Sequence, residues 1–193
     1  MLFANTLFSE SLKSINSDLF LKFFKLLSIF FLATITEISF LFLSRITEHK
    51  GLHILLEAFD NISNAVGEFD ILIAGAFDDS EYRTLIEKTV VDRKLSNRVR
   101  FLGEVVGQRK RDLYSASTLF VLPSRSENFG MAIGEALSYG LLVITTRGTP
   151  WSVLSETGIG AWIPREVEEL ETTLNAIKAT SFIKSVRDKY PTK

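Results

Sequence analysis

Two glutamates eight positions apart, Glu127 and Glu135 in SENFGMAIGEALSYG, flank a short turn of small and apolar residues. Neither acid is needed for a helix to form, so the question is what the carboxylates hold. A carboxylate offers two oxygens and about four acceptor sites, which suits it to vicinal hydroxyls such as those of a sugar or a ribose. The turn between them presents backbone donors from Asn128, Phe129 and Gly130, and Gly130 allows another group to come close. Either Ser126 or Asn128 can cap the helix that follows. A second constellation lies in SRITEHKG, where Arg45 ends an apolar run and Lys50 opens a helix with Thr47 as its candidate cap. A cation at a helix N-terminus opposes the dipole by roughly 0.3 kcal/mol or more. An anion would offset that cost. Two cations beside free N–H groups make a candidate diphosphate site. Taken singly, each residue also reads as a solvated surface charge. Taken together, the two constellations favour a site.

Other chemistries are excluded more simply. The net charge of −1 gives no basic field, so nucleic acid is not the expected partner. With no cysteine there is no disulfide framework and no thiolate metal site. The two histidines, His49 and His53, read as one exposed and one packed side chain, and no metal is expected. There is no GxGxxG, and AGAFDD is not a phosphate loop, which argues against a nicotinamide dehydrogenase and a sugar-nucleotide epimerase.

The elements that must position these residues follow from the apolar pattern. ISFLFLS, FDILIAG, RVRFLGEV, TLFVLPS and LLVITT read as buried strands, and GAWIP as a sixth. Between them KGLHILLEAFDNISNAV, DDSEYRTLIEKTVVDRKL, GQRKRDLYSAS and GMAIGEALSYG read as helices, and EVEELETTLNAIKATS as the last. Strands alternating with helices, each strand apolar on both sides, predict an α/β domain: a Rossmann-like doubly wound parallel sheet over 38–181. Ligands of such sheets bind beyond the carboxyl ends of the strands, where both constellations fall.

These residues resemble the donor-binding, C-terminal domain of the family 4 retaining glycosyltransferases, which have the GT-B fold. Arg45, Lys50 and Gly51 match that family's first-strand motif, and Glu127, Phe129, Gly130 and Glu135 its two-glutamate signature. The stretch SYGLLVITTRGTPWSVL resembles bacterial surface-polysaccharide members, and the likeness covers 38–164. The resemblance implies a nucleoside-diphosphate sugar as donor substrate, no cofactor and no metal, with protein cations in the metal's place. Arg45 and Lys50 would grip the diphosphate, and Glu127 the transferred sugar, helped by the backbone of Asn128, Phe129 and Gly130. Glu135 would bind the ribose, and the strand around Val99 and Arg100 would lie beside the base. Transfer would retain the anomeric configuration.

One departure is large. A GT-B enzyme needs two such domains, and 193 residues have room for one. The expectation is therefore a donor-binding half that either works with a separate N-terminal half or binds nucleotide-sugar without transfer. Residues 1–37 form a phenylalanine-rich apolar leader, too short in its longest uncharged run to span a bilayer, with peripheral membrane contact as one reading. A cytoplasmic location is the expectation, with the inner face of the membrane as one alternative. Residues 182–193 are a short tail.

Overall fold

The computed structural model describes residues 38–63 and 69–179. The leader, any membrane contact it makes, and the tail lie outside the described residues. Six parallel strands form one sheet: β1 (Ile38–Leu43), β2 (Phe69–Ala74), β3 (Val99–Gly103), β4 (Leu119–Leu122), β5 (Leu142–Thr146) and β6 (Gly160–Ile163). Their order is β3-β2-β1-β4-β5-β6. This is the doubly wound arrangement expected from the sequence. The chain reverses its winding direction between β1 and β4, which opens a crevice at their carboxyl ends.

β1, β2 and β4 are apolar throughout apart from Ser39 and Asp70, because both sides of a central parallel strand are covered. Six helices follow the strands: α1 (Leu52–Ser63), α2 (Ser80–Asp92), α3 (Gly107–Ala116), α4 (Met131–Ser138), α5 (Val153–Thr157) and α6 (Val167–Ala179). α1 buries Leu52, Leu55, Leu56, Phe59 and Ile62, a stripe at helical spacing. Against this stripe Phe40 stacks on Phe69 at 5.4 Å and meets Phe59 edge-on at 5.9 Å. α6 adds Leu170 and Leu174 to the same side and packs on α1.

Three local expectations are corrected. Lys50 does not open a helix but closes a 3-10 turn, Glu48–Lys50, and Thr47 makes no capping bond with its side chain. Neither Ser126 nor Asn128 caps α4. That position belongs to Gly130, in the left-handed region at φ 77°. α5, five residues long, was not legible because so short a helix shows barely more than one turn of periodicity.

Candidate functional site

Four loops meet at the carboxyl edge: those after β1, β4, β5 and β6. The Arg125 amide donates to the His49 carbonyl at 2.8 Å, tying the β4 loop to the β1 loop. The Glu127 amide donates to the Gly148 carbonyl at 3.0 Å, tying it to the β5 loop. From the β6 loop the Arg165 guanidinium donates to the carbonyls of Pro123 (3.1 Å) and Glu48 (3.2 Å). Gly51 completes the seam. Its φ is 76°, and a Cβ there would lie 2.2 Å from the Pro123 carbonyl oxygen.

This seam brings Lys50 and Glu127 together. Lys50 Nζ lies 2.6 Å from Glu127 Oε1, with side chains 17% and 12% exposed. A pair so short and so shielded is a strong charge-assisted hydrogen bond. Its net stabilisation is small because both ions are largely desolvated. The ammonium has three donors, so this bond leaves others for a further anion. Arg45 stands differently. It is 76% exposed and donates to Asp78 Oδ2 at 3.1 Å, across to the loop after β2. A parallel bridge between Ile46 and Phe77 holds those two loops in register.

Glu135 lies on α4, on the side turned toward α3. Its Oε1 is 2.8 Å and its Oε2 2.6 Å from Lys110 Nζ, and Oε2 also accepts from the Tyr114 hydroxyl at 2.8 Å. Burial first, then the Glu135 carboxylate, push the Tyr114 phenol far above its ordinary pKa, so it stays a donor. In the turn before α4, Phe129 is 56% exposed and its ring lies 5.3 Å from that of Trp151. The Trp151 indole donates to the Phe129 carbonyl, which fixes the backbone of 128–130 against the β5 loop.

Arg45, Lys50, Glu127, Asn128, Phe129, Gly130 and Glu135 thus fall on the carboxyl-edge loops or on α4, which the β4 loop leads into. Val99 and Arg100 do not. They open β3, so about 10–13 Å of strand separates them from its carboxyl end. Val99 is buried, and Arg100 pairs with Asp70 at 3.2 Å near the start of β2. The part of RVRFLGEV at the carboxyl edge is Gly103 and the exposed Glu104 beyond it. The histidines also separate. His49 Nε2 bonds the Ser126 carbonyl and hydroxyl, while His53 pairs with the Tyr82 hydroxyl at 2.8 Å, its pKa lowered chiefly by burial. Among the described residues no three His, Asp or Glu side chains cluster as metal ligands.

Sequence reasoning missed Asp78, Lys110, Tyr114, Trp151 and Arg165. Only Lys110 and Tyr114 carried a local signal, standing four apart on one helix face.

Residues 31–187 match the family described as Glycosyl transferases group 1. The sucrose synthase of Melioribacter roseus is 26% identical over 154 residues, 72% of this chain and 19% of that protein. The mannosylfructose-phosphate synthase of Agrobacterium fabrum is 31% identical over 109 residues, 54% of this chain and 24% of that protein. The chain therefore spans less than a third of the length of either relative. Among solved structures, Anabaena HepE in complex with UDP is similar at TM-score 0.69 and 26% identity, over 86% of this chain and 46% of that one. The C-terminal domain of a group 1 glycosyl transferase, LpcC, from Francisella tularensis shares the fold at TM-score 0.68 and 18% identity, over 80% of this chain and 86% of that one.

Proposed function

The chain belongs to the group 1 glycosyl transferases, and from that premise we propose that its carboxyl edge holds a nucleoside-diphosphate sugar whose sugar is then transferred with retention of configuration. The observation that carries this reading is the Lys50–Glu127 pair at the crevice between β1 and β4, a cation for phosphate joined to an acceptor for hydroxyls. UDP bound to HepE is in keeping with it. As the bond from the anomeric carbon to the diphosphate breaks, charge builds on the leaving oxygen. Arg45 and Lys50 stabilise that charge, the task a metal would otherwise take. The other Glu127 oxygen accepts from the sugar hydroxyls, Asn128, Phe129 and Gly130 offer backbone donors, and Glu135 accepts from the ribose. The acceptor is held by a facing GT-B half, because the rate gain depends on positioning two reactants and excluding water. We place the reaction in polysaccharide or lipopolysaccharide synthesis, in the cytoplasm at the inner membrane face. Among the described residues no helix is long and apolar enough to cross a membrane.

Calorimetry with uridine, guanosine and adenosine diphosphates, each against its nucleoside, tests the reading. One diphosphate should bind, and Glu135→Ala should weaken nucleoside and diphosphate alike by about 10-fold, the loss of one charged hydrogen bond. A diphosphate screen with no binding, or a Glu135→Ala variant equal to the parent, would overturn it.

Asp78 gives a second prediction. Its carboxylate competes with phosphate for the exposed Arg45 guanidinium. Asp78→Asn should tighten diphosphate binding by about 2- to 5-fold, the scale of an exposed ion pair, and leave nucleoside binding unchanged. In an Arg45→Ala background the gain should vanish. Weaker binding by Asp78→Asn would mean that Asp78 aims Arg45 instead of competing for it.

A further inference from the structure

Tyr114 has a hydroxyl that packing does not require. The residue is 2% exposed in α3, and its ring stacks on Tyr139 at 5.4 Å and lies 6.2 Å from Phe120. A phenylalanine would fill the same space. A buried hydroxyl is costly unless bonded, so its partner is informative. Two acceptors are in reach: the Ala132 carbonyl at 3.3 Å and Glu135 Oε2 at 2.8 Å. The phenol has one proton, and the closer, charged acceptor takes it.

Lys110 stands one turn earlier on the same helix and reaches both Glu135 oxygens, Oε1 at 2.8 Å and Oε2 at 2.6 Å. Each carboxylate oxygen has about two acceptor positions. By hydrogen bonds, Oε1 takes Lys110 and Oε2 takes Tyr114, which leaves each oxygen one acceptor position, and the side chain is 35% exposed. Glu135 is thus not a freely turning carboxylate. Both of its oxygens are held by α3.

We infer that Tyr114 is a positioning residue: its hydroxyl, with the Lys110 ammonium, fixes the Glu135 carboxylate in the orientation in which its open acceptor positions meet the ribose hydroxyls. This rests on the reading of Glu135 as the ribose acceptor. Tyr114 touches no nucleotide itself and acts only through Glu135.

The test uses the full chain and whichever of the uridine, guanosine and adenosine diphosphates binds most tightly, with its 2′-deoxy and 3′-deoxy counterparts, by calorimetry. The parent should bind at least one deoxy compound about 10-fold more weakly than the ribonucleotide, because a charged acceptor reads the ribose hydroxyl it lacks. Tyr114→Phe should bind the ribonucleotide roughly 5- to 20-fold more weakly and discriminate between the three by no more than about 2-fold. Lys110→Met, which leaves the buried ring in place, should show the same loss of discrimination. Equal weakening of all three compounds by Tyr114→Phe would reveal a merely structural tyrosine and overturn the inference. So would unchanged discrimination in both variants, or a parent that binds all three compounds equally. Glu135→Gln separates the two layers. If it loses discrimination while both α3 variants keep it, only the positioning role fails. If Glu135→Gln discriminates like the parent, or no nucleotide binds, the ribose reading fails and this inference with it.

Discussion

Lys50→Met should nearly abolish diphosphate binding and destabilise the protein as well, and the two effects should be separable. Removing the ammonium leaves Glu127 with its charge largely out of water, 12% exposed and without its partner. Breaking a buried pair in this way costs about 3–5 kcal/mol. Partial exposure puts this case at or below the low end. At about 2–4 °C per kcal/mol for a chain of this size, the melting temperature should fall by roughly 5–10 °C. The double variant Lys50→Met, Glu127→Gln should recover most of that fall, since no stranded charge remains. It should not recover diphosphate affinity, because the phosphate contact, worth about 1.5–3 kcal/mol, is still missing. Thermal denaturation and calorimetry on the three proteins decide the matter. Affinity that returns with stability would mean that Lys50 only neutralises Glu127 and never meets phosphate.

Gly51→Ala should be strongly destabilising. At φ 76° an alanine carries a left-handed penalty of about 1–2 kcal/mol. The Cβ would also lie 2.2 Å from the Pro123 carbonyl oxygen, so the β1 and β4 loops must part. Parting them strains the Arg125–His49 and Arg165–Pro123 hydrogen bonds, and the total should exceed about 4 kcal/mol, a fall of more than roughly 10 °C. Gly140→Ala is the control. Its φ is 75°, but nothing lies within 4 Å of the added methyl, so only the backbone term of about 1–2 kcal/mol applies. Equal melting temperatures for the two variants would show that the contact with Pro123 is not what makes Gly51 necessary.

The sheet was legible because its strands carry their own signal: runs such as FDILIA and LFVL are apolar on both sides, as central parallel strands must be. The cations and acids were legible as types at fixed spacing. Their partners were not. Asp78 lies 33 positions from Arg45 and Tyr114 21 from Glu135, and only the fold makes them neighbours. The capping readings failed for a related reason. Ser126 and Asn128 have the right chemistry, but the Trp151 indole and the Gly148 carbonyl set the backbone of the turn from outside it. Val99 and Arg100 were placed by strand identity alone, which does not say which end of the strand faces a ligand.

The adjacency of β1 and β4 also dictates when the site can exist during folding. Lys50 meets Glu127, His49 meets Ser126 and Gly51 meets Pro123 across 72–77 positions of chain. β1 and β4 are joined by only two register pairs, Phe40 with Leu119 and Leu41 with Phe120. β1 can pair with β2, and β4 with β5, over far shorter loops, so loop-closure entropy favours these pairings first. The central zipper is then expected to close late, and the Lys50–Glu127 pair assembles only as it does. A chain with both flanks formed and that zipper open would hold almost all its secondary structure and have no cleft for an anion.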